Sequence, residues 1–152
     1  MKPLGAILAA RYPQKFPSWH RNVYAKSHGW IGHRWTGFPC LLLTTIGRKS
    51  GEPRSTVLTY VELDGAPVIA ASNGGSARPP AWFLNISAEP LVQVRRGRRQ
   101  DKAVCDLLDP DSVEFKRAWV ELDELRGGRY SGYQDSTDRS IALVRLRPVG
   151  HS

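Results

Sequence analysis

Three cationic side chains surround a short, glycine-containing turn in the first third of the chain. Arg48 and Lys49 follow Gly47 directly, and Arg54 follows Pro53 at the end of the stretch GRKSGEPR. Two guanidinium groups and one ammonium group can make charge-assisted hydrogen bonds to a phosphate. Glycine permits the positive φ of a tight turn whose backbone N–H groups can face the same anion. The stretch therefore predicts a phosphate-binding turn, but a solvated hairpin tip whose charges discourage edge pairing explains it as well.

Two well-known nucleotide-binding loops do not match this turn. In a P-loop the lysine follows the second glycine of the motif, whereas Lys49 precedes Gly51. The dinucleotide-binding fingerprint needs three glycines that open a helix, and that pattern is missing too. Neither nucleotide-binding motif is therefore present, and both interpretations of the turn stay open.

Short apolar segments predict the elements that must position the turn. Residues 41–46 and 56–63 are rich in apolar and β-branched residues, so each is typical of a strand that flanks the turn. Two helical patterns begin farther along, one at a Pro-Pro pair and one at an Asp-Pro-Asp-Ser sequence. The other predicted elements are strands over 68–71, 91–94, 100–108 and 141–146 and helices over 81–88 and 113–125. Hairpins with few helices indicate an α+β domain with an antiparallel, barrel-like sheet.

Length and composition indicate one globular domain. The chain has 152 residues, 41% of them hydrophobic, and a formal net charge of +8, which favours an anionic partner. No RNA-binding or helix-turn-helix signature supports nucleic acid as that partner. The densest basic run, residues 95–99, is expected to be a solvated hairpin tip because no aromatic residue interrupts it.

Two cysteines, Cys40 and Cys105, lie far apart in the sequence and form no CxxC pair. We therefore expect no metal site, and a disulfide between them stays open. The apolar start at residues 4–10 is too short to span a bilayer, and no secretory leader is visible. A cytoplasmic location is expected.

Basic and aromatic residues alternate in the N-terminal segment, residues 1–38. Phe16, Trp19 and Val23 follow helical spacing, which predicts an amphipathic helix over 17–28. A basic, aromatic helix can lie on an anionic surface, so residues 11–35 are a candidate for peripheral contact with the inner face of the plasma membrane. Packing of the aromatic face on the barrel is the alternative.

Four segments, in order, resemble the deazaflavin-dependent nitroreductase family of the FMN-binding split-barrel superfamily. They are LLLTTIGRKSGEPRSTVL, VIAASNGG, PPAWFLNISAEPLVQV and YQDSTDRSIALVRL. The resemblance implies a split β-barrel of about six mostly antiparallel strands with flanking helices over residues 39–152. It also implies coenzyme F420, a deazaflavin whose reduced ring gives a hydride to an electron-poor quinone, enone or nitro acceptor. A non-enzymatic carrier of F420 or lipid, and an FMN-dependent oxidoreductase, are the alternatives on this fold.

The same resemblance implies a set of site residues. The basic turn would hold the coenzyme phosphate, the bend and the helix start that follow would line the ring, and a phenol could donate to a developing oxyanion. The candidate coenzyme-binding residues are Arg48, Lys49, Ser50, Gly51, Pro53, Arg54, Ala70, Ala71, Ser72, Asn73, Ala81 and Trp82. The candidate catalytic residues are Tyr130, Tyr133 and Ser72.

Two positions depart from the family pattern. Asn73 stands where many relatives have a lysine, which removes a cation for the acidic tail of the coenzyme. Thr59 stands where the nitroimidazole-reducing member has a tyrosine, so that substrate is not expected here. Ordinary packing is the alternative for Trp82 and the two tyrosines, and a turn ion pair explains the match at Asp138 and Arg139 without chemistry.

Overall fold

The computed structural model describes residues 37–149 and contains one curled antiparallel sheet. Its strands are β1 (Cys40–Ile46), β2 (Pro53–Thr59), β3 (Val61–Leu63), β4 (Ala66–Ala70), β5 (Leu91–Arg96), β6 (Arg99–Leu107) and β7 (Leu143–Pro148). Their order across the sheet is β2-β1-β5-β6-β7-β4-β3. The helices are α1 (Ala81–Ala88), α2 (Val113–Leu125) and α3 (Arg129–Asp135), and a 3₁₀ turn covers Asn73–Gly75. The predicted α+β split barrel is confirmed.

The predicted N-terminal segment, residues 1–38, ends two residues inside the described part of the chain. Its amphipathic helix over 17–28 and its candidate membrane contact over 11–35 lie outside the described residues. Both stay predictions.

The prediction of one strand over 56–63 is wrong, because Tyr60 divides this segment into two strands, β2 and β3. β2 pairs with β1, whereas β3 pairs with β4, so the sheet has seven strands rather than about six. β2 and β3 lie at opposite edges of the sheet although one residue separates them in sequence. The two edges must therefore approach each other at Tyr60, and this geometry forces the sheet to curl into a barrel.

Local turn chemistry explains the hairpins. Asp64 and Gly65 adopt φ values of 52° and 83°, the left-handed pair that a two-residue hairpin turn requires, and they join β3 to β4. Gly97, with φ of 60°, begins the two-residue loop between β5 and β6, where Arg96 pairs with Arg99. The basic run is therefore a hairpin tip, as predicted.

The apolar core is divided between the helices. One cluster lies against α1 and contains Leu41, Leu43, Ile69 and Trp82. A second cluster lies against α2 and α3 and contains residues of β3, β4 and β7 together with Leu122. α1 therefore packs against one apolar cluster of the sheet, and the α2–α3 pair packs against the other.

The starts of the helices have identifiable causes. Pro80 precedes α1 in extended conformation, and Ser112 caps α2 by accepting a hydrogen bond from Phe115 N at 3.1 Å. α3 is not among the helices predicted from the sequence. Its first turn is capped from outside, since the Asp123 carboxylate of α2 accepts hydrogen bonds from Ser131 N at 2.9 Å and Ser131 Oγ at 2.5 Å.

The last strand begins two residues later than predicted. Ile141 and Ala142 precede β7, and Ala142 O instead accepts a hydrogen bond from Ala71 N at 2.9 Å. Cys40 and Cys105 are both buried and no disulfide joins them, and burial raises the pKa of the Cys105 thiol to about 12. Within residues 37–149 no helix is long and apolar enough to cross a membrane, and no group of three metal-ligating side chains occurs.

Candidate active site

The basic turn between β1 and β2 is attached to α1 by a buried amide. Asn85 is 3% exposed, and its Oδ1 accepts hydrogen bonds from Arg48 N at 3.2 Å and Arg48 Nη1 at 2.9 Å. Its Nδ2 donates to Thr45 Oγ1 at 3.1 Å. Partial burial lowers the pKa of the Arg48 guanidinium. Arg48 therefore anchors the turn, and the amide sets where the turn stands relative to the helix.

Within the turn, the backbone folds back on itself. Gly51 N donates to Gly47 O at 2.8 Å, and Gly47 N donates to Glu52 O at 2.7 Å. Gly51 has φ of 73°, and a Cβ at Gly47 would lie 2.5 Å from Ser50 Oγ. The positive φ of Gly51 favours glycine, and a side chain at Gly47 would require the Ser50 side chain to move.

Several hydrogen-bond donors at the tip of the basic turn have no partner within the described residues. Lys49 is exposed, and its ammonium group has no hydrogen-bond or ion-pair partner among residues 37–149, nor do the backbone N–H groups of Lys49 and Ser50. Arg54 donates to Ser50 Oγ at 3.4 Å and pairs with Glu52 at 3.5 Å. An exposed pair of this kind contributes only about 0–1 kcal/mol, so a phosphate could recruit the Arg54 guanidinium.

The bend after β4 is held by Arg139. Its Nη1 donates to Ala71 O at 3.0 Å, its Nη2 to Ser72 O at 2.7 Å and its Nε to Ser76 O at 2.9 Å. The expected explanation, an ion pair with Asp138, is not among the ion pairs of the described residues. Arg139 instead fixes the backbone that presents the Ser72 side chain.

Asn73 lies on the outer side of the same bend. It is exposed, has φ of 44°, and donates from Nδ2 to Arg78 O at 3.0 Å. The bend also contacts α3, because a Cβ at Gly75 would lie 2.9 Å from Tyr133 O. Only glycine permits this close approach.

At the start of α1, the groups that could donate hydrogen bonds to a ligand are backbone N–H groups rather than side chains. Phe83 N and Leu84 N donate to Pro80 O, whereas the N–H groups of Ala81 and Trp82 have no partner within the described chain. The Trp82 indole is 3% exposed and meets the Phe83 ring edge-on at 6.0 Å. The side chain of Trp82 is thus a core residue, and its contribution to a site would be its N–H group at the positive end of the helix.

The two tyrosines have different surroundings. The Tyr130 ring is 6% exposed and lies between Trp119, at 6.4 Å, and Tyr133, at 5.9 Å. Burial raises the pKa of the Tyr130 phenol, while the Arg126 charge and a hydrogen bond with Thr59 oppose the rise. Tyr133 is only half-buried, so it is the more accessible phenol.

Most of the predicted site residues lie along one continuous path through the fold. Asn85 connects the basic turn to α1, the bend lies just before α1 in the chain, and Gly75 connects the bend to α3. Tyr130 is buried between Trp119 and Tyr133, and its catalytic role stays a prediction. Asn85 and Arg139 both match the family pattern, but neither is among the predicted coenzyme-binding or catalytic residues. An amide within the apolar helix AWFLNISA is the local signal that distinguishes the first.

Comparison with known proteins decides the family. A family model described as F420H(2)-dependent quinone reductase matches residues 17–148. The chain belongs to this family. An F420H(2)-dependent quinone reductase from Mycobacterium tuberculosis is 38% identical over 128 residues, which cover 84% of this chain and 86% of the relative.

Solved structures agree with this membership. The structure of an F420-H2 dependent reductase is 33% identical, with a TM-score of 0.64, and the match covers 72% of this chain and 94% of that one. A heme storage protein from Vibrio cholerae, 17% identical with a TM-score of 0.57 over 74% of this chain and 82% of that one, shares the fold alone. The resemblance to F420-dependent split-barrel reductases is confirmed, and coenzyme F420 is the cofactor of the family.

Proposed function

We propose that this protein uses reduced coenzyme F420 to reduce a quinone. The observation that carries the proposal is the basic turn, which Asn85 holds against α1 and whose Lys49 ammonium group has no partner among residues 37–149. The site fits the coenzyme chemically, because a phosphodiester needs cations and N–H donors and a flat ring with carbonyl oxygens needs donors only.

The residues divide into those that hold the coenzyme and those that meet the acceptor. Lys49, Arg54 and the N–H groups of Lys49 and Ser50 would bind the phosphate, with Gly51 and Pro53 shaping the turn. The N–H groups of Ala81 and Trp82 would donate to the ring, next to the bend at residues 70–73. When bound, the reduced deazaflavin supplies a hydride.

The Tyr133 and Ser72 hydroxyl groups would stabilise the charge that develops on the acceptor oxygen. Tyr133 contacts the bend through its backbone and Tyr130 through its ring. Tyr130 would orient Tyr133, since burial and the edge-on contact with Trp119 fix its own ring. Preorganised donors of this kind lower the barrier because they need no rearrangement during the reaction.

The first test is a coenzyme titration of the Lys49→Ala variant. Loss of a charge-assisted contact of roughly 1.5–3 kcal/mol should weaken coenzyme binding by about tenfold or more and leave turnover at saturating coenzyme nearly unchanged. The matched control is Lys116→Ala, which removes an exposed lysine from α2. Unchanged coenzyme affinity in Lys49→Ala would remove the phosphate site from the proposal.

The second test is the Tyr133→Phe variant, which removes one hydroxyl group. Turnover of quinones should fall by about tenfold if this donor acts in the transition state, while coenzyme affinity is retained. Full turnover on every accepted quinone would contradict the role of Tyr133.

Experiments can distinguish quinone reduction with F420 from two alternative functions. A carrier would bind F420 without turning over any member of a quinone panel. An FMN enzyme would retain a stoichiometric yellow flavin on purification and bind FMN more tightly than F420 in parallel titrations.

We also propose that residues 11–35 contact an anionic membrane, because cations and aromatic residues alternate there. Co-sedimentation with vesicles rich in anionic lipid should require this segment. Equal pelleting of the full chain and a chain lacking residues 1–30 would contradict the contact.

A further inference from the structure

The side-chain amide of Gln134 joins α3 to the segment that leads into β7. Its Nε2 donates to Arg139 O at 2.8 Å, and its Oε1 accepts from Ile141 N at 2.9 Å. A carbonyl oxygen only accepts and a backbone N–H only donates, so these two partners determine the orientation of the amide. The half-buried side chain thus pairs with the backbone of residues 139–141 as a neighbouring strand would.

The same segment is hydrogen-bonded to the bend after β4. The Arg139 guanidinium donates to three carbonyl oxygens of residues 71–76, and Ala142 O accepts from Ala71 N at 2.9 Å. Residues 139–142 therefore bind the bend as well as Gln134. They form a continuous hydrogen-bonded path from α3 to the bend.

The direct contact between α3 and the bend is steric. A Cβ at Gly75 would lie 2.9 Å from Tyr133 O and 3.1 Å from Tyr133 Cα. Within residues 37–149 no hydrogen bond joins α3 directly to residues 71–76. A steric contact limits how closely two elements approach but does not prevent them from separating. The path through Gln134 therefore supplies the attraction that the direct contact lacks.

We propose that Gln134 is a positioning residue that holds the Tyr133 and Ser72 hydroxyl groups in one fixed arrangement. This role rests on the proposed quinone reduction, in which those two hydroxyl groups meet the acceptor. Gln134 follows Tyr133 in α3, and its amide reaches the bend that carries Ser72 through Arg139. Two donors stabilise a developing charge efficiently only when their relative position is set before the reaction.

Amide hydrogen exchange in the coenzyme-free protein tests this role without measuring activity. Gly75 N donates to Ser72 O at 2.9 Å and Ser76 N to Asn73 O at 3.1 Å, so these two amides report on the bend. Gln134→Leu removes both hydrogen bonds of the amide and keeps a side chain of similar bulk. Exchange at both reporter amides should then accelerate by about tenfold or more, the factor expected when two hydrogen bonds that oppose local opening are lost. Exchange in β1, which reports on opening of the sheet, should change much less.

The Arg139→Lys variant tests the other end of the path. Lysine keeps the positive charge but lacks the planar fork that binds several carbonyl oxygens at once. If Gln134 and Arg139 act through one path, the double variant should accelerate exchange at Gly75 and Ser76 little more than the more damaging single variant does. Accelerations that multiply in full would show that the two residues act independently and would overturn the proposed role.

Steady-state kinetics with reduced coenzyme and a quinone give a second readout. In Gln134→Leu, kcat should fall by about tenfold because the two donors lose their alignment, while the dissociation constant of the coenzyme stays within about twofold of the wild-type value. The matched control is Gln93→Leu. Gln93 accepts from Gln100 Nε2 at 3.1 Å and makes no hydrogen bond to α3 or the bend, so this variant should change neither exchange at the bend nor kcat.

Two results would contradict the role of Gln134. One is exchange at Gly75 and Ser76 that Gln134→Leu leaves unchanged or accelerates no more than exchange in β1, which would indicate general destabilisation. The other is an equal loss of coenzyme affinity and turnover. Failure of the proposed function gives a different result: the wild-type protein turns over no quinone with reduced F420, and the exchange experiment still decides whether Gln134 holds the bend on α3.

Discussion

A single buried amide determines the position of the basic turn between β1 and β2. The Asn85 side chain satisfies its acceptor with two donors of Arg48 and its donor with the Thr45 hydroxyl group. A buried polar group is favourable only when its hydrogen bonds are made. The pairing therefore restricts α1 and the turn to one relative arrangement, in which Lys49 and Ser50 at the turn tip are exposed.

Replacement of Asn85 by alanine should uncouple the turn from α1. We expect a loss of about 1–3 kcal/mol in the free energy of unfolding, because Arg48 and Thr45 lose buried partners, and weaker coenzyme binding because Arg48 no longer anchors the turn. Urea unfolding and coenzyme titration measure the two effects.

The matched control for this prediction is Ser87→Ala. Ser87 is also a buried polar residue of α1, but its Oγ donates within the helix, to Phe83 O at 3.0 Å. Both variants should be destabilised, and only Asn85→Ala should lose coenzyme affinity. Equal losses of affinity would reduce Asn85 to a general stabilising role.

Among the elements, α3 depends on α2 for its position. α3 has seven residues, too few to be stable alone, and Gly128 begins it with φ of 86°. The Asp123 carboxylate of α2 supplies the missing acceptor for its first turn through Ser131. Because α3 carries Tyr133 against the bend, this contact also determines where the candidate catalytic phenol lies.

Asp123→Asn should destabilise the protein in a pH-dependent way. The hydrogen bonds from Ser131 lower the pKa of Asp123 in the folded state, so the carboxylate contributes stability above its ordinary pKa, near 3.9. That contribution is lost as pH falls through the lowered folded pKa. The wild type and the variant should therefore differ at pH 7 and converge in acid.

Urea unfolding at several pH values measures this difference. Glu124→Gln is the control, because Glu124 lies beside Asp123 in α2 and its carboxylate makes no hydrogen bond or ion pair among residues 37–149. A difference between wild type and Asp123→Asn that is the same at every pH would show that the carboxylate charge does not stabilise α3.

For the whole molecule, the decisive feature is the approach of the two sheet edges at Tyr60. Tyr60 N donates to Pro39 O at 3.2 Å, and its ring is 8% exposed. The Arg96 guanidinium of β5 lies 5.8 Å from the centre of this ring and pairs with Glu62 of β3 at 2.6 Å. Arg96 thus links the middle of the sheet to its edge across the barrel.

Arg96→Met should therefore destabilise the barrel by about 0.5–2 kcal/mol. The exposed ion pair contributes about 0–1 kcal/mol and the cation–π contact about 0.5–1 kcal/mol. Arg99→Met is the control, since Arg99 pairs at 2.7 Å with Asp101 of its own strand and should change stability by less than about 0.5 kcal/mol. If urea unfolding gives equal effects, the link across the barrel does not stabilise the fold.

Local elements and family membership could be predicted from the sequence because their causes lie close together in the chain. The Asp64-Gly65 pair specifies its own hairpin, Ser112 caps the helix that begins beside it, and the basic residues of the turn are consecutive or nearly so. Four segments in order sufficed for the family. The candidate coenzyme-binding residues followed from that resemblance, and their roles stay predictions.

Contacts between residues far apart in sequence were decided only by the tertiary structure. Arg48 and Asn85 are separated by 37 positions, and Arg139 lies 63 to 68 positions from the carbonyl groups that it binds. Periodicity and turn signals are local, so they predict neither partner. The same reason explains the break at Tyr60: residues 56–63 have the composition of one strand, but curling of the sheet brings two edges together there and divides the strand between them.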